Sequence, residues 1–150
     1  MTCLADCKST RDYSANKLNI DEVGFSTAMV DKLIAKIGVD PGRVFATGIF
    51  RGGHIAFRLA LEAPSRFRAV AAVAANVPAA DNFKCKPAGQ GTSSVMIMNG
   101  TKDPLNPFDG GEVKLFGCSG LAKSARRESQ VNTLPTSTIS SARLKRTRPT

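Results

Sequence analysis

The chain has 150 residues, 42% of them hydrophobic, which suits one globular domain with a core of its own. No run of about 18 apolar residues occurs, so no membrane-spanning helix is expected, and residues 1–12 lack the apolar stretch and cleavage site of a signal peptide. The net charge is +9, but residues 1–117 carry only +3 and residues 118–150 carry +6, so the basic character belongs to the tail rather than to the folded body.

Residues 1–19 are polar and without period, and read as a loop. From Ile20 the pattern becomes helical: Val23, Met29, Val30, Leu33, Ile34 and Ile37 recur at helix spacing, Asp21 and Glu22 favour an N-terminus, and Gly38 and Pro41 end it. Arg43 to Gly48 is a short apolar run bounded by Pro41-Gly42 and by glycines, the pattern of a buried strand. Gly52-Gly53 open a second helix that stops at Pro64. Ala69–Ala74 and Val95–Met98 read as two further strands. Strands that are continuously apolar and alternate with helices predict an α/β fold with a three-stranded parallel sheet and flanking helices over residues 20–117. Residues 118–150, rich in Ser, Thr and Arg, have little to bury and are expected to be disordered, with a short helix near Leu121–Gln130 as the alternative.

The junction Gly48-Ile49-Phe50-Arg51-Gly52-Gly53 joins a strand directly to a helix. In a G-x-S-x-G nucleophile elbow the central residue sits on a strained turn that projects its side chain from the top of the sheet, flanking glycines let the backbone pass, and the next N–H faces the developing oxyanion. Here Gly48 and Gly52 hold the flanking places and Phe50 holds the centre. Phenylalanine offers no nucleophile, and a bulky residue in such a backbone region costs on the order of 1–3 kcal/mol. Without the serine, the glycines are also consistent with an ordinary strand-to-helix turn. They make neither G-x-G-x-x-G nor a P-loop.

Two more segments narrow the reading. Ile20-Asp-Glu-Val-Gly-Phe25, Val30-Asp-Lys-Leu33 and Val39-Asp-Pro-Gly-Arg-Val44 precede the elbow, and Asn99-Gly-Thr-Lys-Asp-Pro-Leu-Asn-Pro-Phe-Asp-Gly-Gly111 follows the third strand. Arg58-Leu-Ala and Pro64-Ser-Arg-Phe67 lie between them. In order and spacing these resemble the polyhydroxybutyrate depolymerase and feruloyl esterase-like α/β-hydrolases, over roughly residues 20–117. The resemblance implies a partial α/β-hydrolase domain and a family that cleaves carboxylic esters of polyhydroxyalkanoate or feruloyl type through an acyl-serine, without cofactor or metal. It makes Asp103 the triad acid, gives the backbone N–H of Arg51 the place of an oxyanion donor, and identifies Gly48, Gly52 and Gly53 as elbow glycines. Apart from that role, Asp103-Pro104 also reads as a turn initiator.

The departures imply an inactive copy. Phe50 replaces the nucleophile, and no histidine follows His54, which lies one turn into the elbow helix and reads as a partly buried helix residue rather than the triad base. Ser9, Ser14 and Ser26 are not at elbow positions. The first strands of the family fold have no counterpart in these residues, and the tail composition is that of an out-of-frame or decayed gene end, so the chain is expected to be a fragment. Cys3 and Cys7 lack the second pair that a zinc site needs, and how Cys3, Cys7, Cys85 and Cys118 pair in any disulfide is open. The resembling family is largely secreted or periplasmic. Two other functions compete: a non-catalytic binder of apolar ligands with Phe50 on the cleft floor, and a weak, salt-sensitive binder of acidic surfaces or nucleic acid through the tail, which has no aromatic residue for stacking.

Overall fold

A computed structural model describes residues 20–77, 85–88, 91–115, 118–124 and 139–141. The expected loop over 1–19, with Cys3 and Cys7, and most of the tail lie outside the described residues.

Helix α1 spans Glu22–Ile37. Asp21 caps it, with Oδ1 accepting from the Gly24 N–H at 2.8 Å, and Gly38 ends it at φ 68°, donating its N–H to Ile34 O at 3.1 Å. The apolar period divides into two stripes. Val30 is buried and Val23 and Ile34 pack on the core, whereas Met29, Leu33 and Ile37 are exposed with Phe25. The expected strand start at Arg43 shifts: Pro41–Arg43 is a single 3₁₀ turn, held by the Asp40 carboxylate accepting from the Gly42 N–H at 2.8 Å. Strand β1 then runs Phe45–Ile49, helix α2 Arg51–Glu62, strand β2 Ala69–Val73 and strand β3 Ser94–Met98.

β1, β2 and β3 are parallel neighbours in register, Phe45 beside Ala69 beside Ser94 and Ile49 beside Val73 beside Met98. A fourth parallel strand, Ile139–Ser141, labelled β6 in chain order, adds to β3. Between them β4, Gly111–Leu115, and β5, Cys118–Ser124, form an antiparallel pair. The disorder expected of residues 118–150 therefore does not extend to 118–124 or 139–141. The helix alternative also fails for 121–124, because backbone pairing to a neighbouring strand supplies what the side-chain composition does not.

α2 covers one sheet face. Ala56, Phe57, Leu59, Ala60 and Leu61 from α2 meet Val70, Ala72, Val95 and Ile97 in one core, closed by Phe67, Ala75 and Val77. Arg58, also buried, links the helices. Its guanidinium donates to Glu62 at 3.1 and 3.2 Å and to Glu22, at the start of α1, at 2.6 Å. Arg66 and Asp31 add an ion pair at 3.0 Å, but both side chains are half exposed, so it contributes about 1 kcal/mol at most. Buried Ser93 places its hydroxyl against the carbonyls of Pro64 and Phe67, which fastens the start of β3 to the loop between α2 and β2.

No helix of the described residues is long and apolar enough to cross a membrane, and among them no group of metal-ligating side chains gathers.

Candidate functional site

Strand β1 ends at Ile49 and α2 begins at Arg51, so the whole reversal falls on Phe50. Its backbone is at φ 52°, ψ −115°, a region that side chains other than glycine's adopt at a cost of on the order of 1–3 kcal/mol. Main-chain bonds hold it there: Phe50 N–H donates to Val73 O at 3.0 Å and Phe50 O accepts from His54 N–H at 3.0 Å. The side chain is half exposed. Arg51 is the first helical residue of α2, so its N–H lies at the positive end of the helix.

The three glycines differ in what they do. A Cβ on Gly48 would lie 2.3 Å from the Gly52 carbonyl carbon and 2.5 Å from its oxygen, and a Cβ on Gly53 would lie 2.6 Å from Ala75 Cβ. A Cβ on Gly52 would meet nothing within 4 Å. Expecting the flanking pair Gly48 and Gly52 to provide the clearance is therefore only half right. Gly48 and Gly53 let helix and strand approach, and Gly52 needs no such exemption because it presents backbone, not a Cβ direction, to its neighbour.

The sheet is parallel, so residues that follow its strands collect at one edge. Phe50 follows β1, Ala74 follows β2 and Asn99 follows β3. Ala74 has φ 47° and donates its N–H to Met98 O at 2.8 Å. Asn99 Oδ1 accepts from Ala75 N–H at 3.2 Å, Asn99 Nδ2 donates to Asn76 Oδ1 at 2.5 Å, and Asn76 Nδ2 donates to Pro107 O at 3.0 Å. This amide relay ties the loop after β3 to the end of β2. Asp103 sits in that loop, partly buried, with Oδ1 accepting from the N–H groups of Leu105 at 2.8 Å and Asn106 at 2.9 Å. Phe50 and Asp103 thus share the C-terminal end of the sheet, and the turn-initiator bonding of Asp103 is present. The relay of Asn76 and Asn99 and the strained Ala74 were not read from the sequence. Two asparagines just beyond strand ends were the available signal.

His54 lies in the first turn of α2 and is partly buried. Its Nδ1 is buried and has no hydrogen-bond partner among the described residues, a deficit of about 1–3 kcal/mol. Burial, and next the charge of Arg51, lower its pKa from 6.5 to about 4, against a hydrogen bond with the Asn76 main chain that raises it. The imidazole is neutral at pH 7. The unfolded chain takes up this proton through pH 6.5 and the folded chain only near 4, so the folded state is favoured above pH 6.5. That stability is lost as pH falls through the window, by about 3 kcal/mol at most. Urea midpoints of the parent protein should drop between pH 6.5 and 4 more steeply than those of His54→Gln. Parallel profiles would show that His54 is not the group responsible.

No family model matches the chain, and no solved structure matches it. Two curated proteins are similar to it. The protein named "Putative esterase NocK" of Nocardia uniformis subsp. tsuyamanensis is 42% identical over 89 residues, 59% of this chain and 25% of that protein. The protein named "Probable feruloyl esterase C" of Aspergillus niger is 30% identical over 93 residues, 62% of this chain and 33% of that protein. The chain therefore spans a quarter to a third of the length of these relatives. Both names support an esterase-like family.

Proposed function

We propose that the chain is an ester-hydrolase domain portion of the polyhydroxybutyrate depolymerase and feruloyl esterase-like kind, with Phe50 standing in the nucleophile's place and no acyl-enzyme chemistry of its own. The observation that carries this reading is the backbone of Phe50. A β1–α2 junction needs no residue at φ 52°, ψ −115°, and a phenylalanine gains nothing from being there. A nucleophile does, because that conformation lifts its side chain clear of the sheet toward the helix N-terminus. Asp103, held by one carboxylate oxygen in the loop after β3, suits the part of triad acid, with its second oxygen left to orient an imidazole. The ester substrates of the two relatives supply the substrate class. Cys85 is disulfide-bonded, a bond that persists in oxidising compartments, in keeping with an exported parent.

Two arms test the reading. The purified chain should not turn over p-nitrophenyl acetate or butyrate above the buffer rate. Turnover lost in Asp103→Ala would refute the inactivity. Phe50→Cys tests the elbow: a thiol at a helix N-terminus ionises below its usual range, so it should be alkylated at pH 6 about tenfold faster than glutathione. Reaction no faster than glutathione would remove the elbow from the argument.

A further inference from the structure

Asp103 is fixed within its own loop, because Oδ1 holds the Leu105 and Asn106 N–H groups. Those bonds leave open where the loop stands relative to the elbow. Asn76, 3% exposed, supplies that connection. Its Oδ1 accepts from Asn99, where the loop begins, and its Nδ2 donates to the Pro107 carbonyl, where the loop ends. Its main chain is hydrogen-bonded to the His54 imidazole, and His54 N–H donates to Phe50 O. One buried residue thus touches both ends of the loop and the first turn of α2. The backbone before it is shaped for this reach. Ala74, at φ 47°, lies in a region that strains a side-chain-bearing residue and persists only where the surroundings hold it. Ala75 then donates its N–H to Asn99 Oδ1 and lies so close to α2 that Gly53 has no room for a Cβ.

We propose that Asn76 is a positioning residue, which sets the Asp103 carboxylate at a fixed place relative to position 50. A short amide suits this part where other side chains do not. The place needs a donor for the Pro107 carbonyl and an acceptor for the Asn99 amide on one planar group. An ionised aspartate has no donor, leucine has neither, and glutamine is a methylene too long. A buried polar network with its partners satisfied also favours one arrangement over the alternatives. The role of Asp103 as an acid rests on the proposed function. The coupling of loop to elbow does not, and it is tested without ester or nucleophile.

Amide hydrogen exchange of the full chain, followed by NMR, reads the coupling, with the Ile97 amide inside β3 as the measure of global stability. In Asn76→Ala the Ala75 and Asn106 amides should exchange about tenfold faster relative to Ile97. Equal acceleration of all these amides would mean that Asn76 only stabilises the fold, and would overturn the positioning role. Asn76→Asp supplies the rescue. Ionised, its carboxylate has no donor for Pro107. Protonated, it matches the amide, with O–H toward Pro107 and C=O toward Asn99, and burial raises the pH at which this form appears. Protection of Ala75 and Asn106, taken relative to Ile97 and to the parent chain at each pH, should return as the introduced carboxyl protonates by its own carbon shift. Protection that stays lost once that carboxyl is protonated would overturn the proposal. Should neither variant fold, the parent chain still decides: the Asn76 side-chain N–H protons should exchange at least about tenfold more slowly than those of free asparagine, and exchange at the free rate would overturn it. A failed elbow test with Phe50→Cys beside a passed exchange test would remove the acid role of Asp103 and leave the coupling standing.

Discussion

Gly48→Ala should destabilise the domain by about 3 kcal/mol or more, while Gly52→Ala, four residues away in the same turn, should leave stability unchanged or slightly improved. At Gly48 the new methyl would lie 2.3–2.7 Å from three backbone atoms of Gly52. None of these is the end of a flexible side chain that could swing aside, so β1 and α2 would have to separate. Overpacking of a well-filled contact costs about 1–3 kcal/mol, and here it falls on rigid backbone at the point where the strand enters the helix, so about 3 kcal/mol or more is expected. Set against the roughly 5–15 kcal/mol that holds a typical domain together, that is a large fraction. At Gly52 the same methyl meets nothing within 4 Å, and the residue lies in the first turn of α2. Alanine loses less backbone freedom than glycine on entering a helix, worth about 0.5–1 kcal/mol in a helix interior and less near its start. Urea denaturation of the two variants side by side gives the contrast. Equal midpoints would mean that the close approach of strand and helix is not what Gly48 provides.

Arg58→Met should cost about 2–3 kcal/mol, although it replaces a charged residue in a core by an apolar one of similar length. The guanidinium is 10% exposed, between Glu22 at 26% and Glu62 at 18%. Burial alone would push its pKa down. The hydrogen bond and charge of Glu62, then the charges of Glu22 and Asp21, outweigh that and hold it above the usual arginine value. Methionine fills the space but leaves two carboxylates facing each other with their cation gone. Breaking a fully buried ion pair costs about 3–5 kcal/mol, and the partial exposure of both glutamates lowers the figure. The double variant Arg58→Met, Glu62→Gln removes one stranded charge and should recover about 1 kcal/mol by denaturant midpoint. No recovery would show that Arg58 acts through packing of its methylenes, not through charge.

The sequence-level expectations held where the signal was local. Asp21 and Gly38 bracket α1 because a capping carboxylate and a residue free to take positive φ act within one turn. The three strands appeared because each is a short apolar run cut off by residues that cannot continue it. The stripes of α1 were not separable in the same way. Val30 and Leu33 are equally apolar and both fit the helical period, yet one is buried and the other exposed, since α2 is present to cover only one of the two directions. β6 was missed for a related reason. Ile139–Ser141 looks like tail, and its place in the sheet comes from hydrogen-bonding to β3, which composition does not register.

For the candidate site, the residues 48–53 by themselves determined that a strand runs into a helix through a single phenylalanine, and that no nucleophilic atom stands at that point. A strand can be read from its own residues because its period is local. Which glycine gives clearance to which neighbour, that Asn99 and Asn76 brace the loop bearing Asp103, and that His54 is buried with one nitrogen unpaired among the described residues were decided only in three dimensions. Each of those depends on atoms brought within a few ångströms across gaps of up to 31 residues in the chain, and no local pattern encodes such a distance.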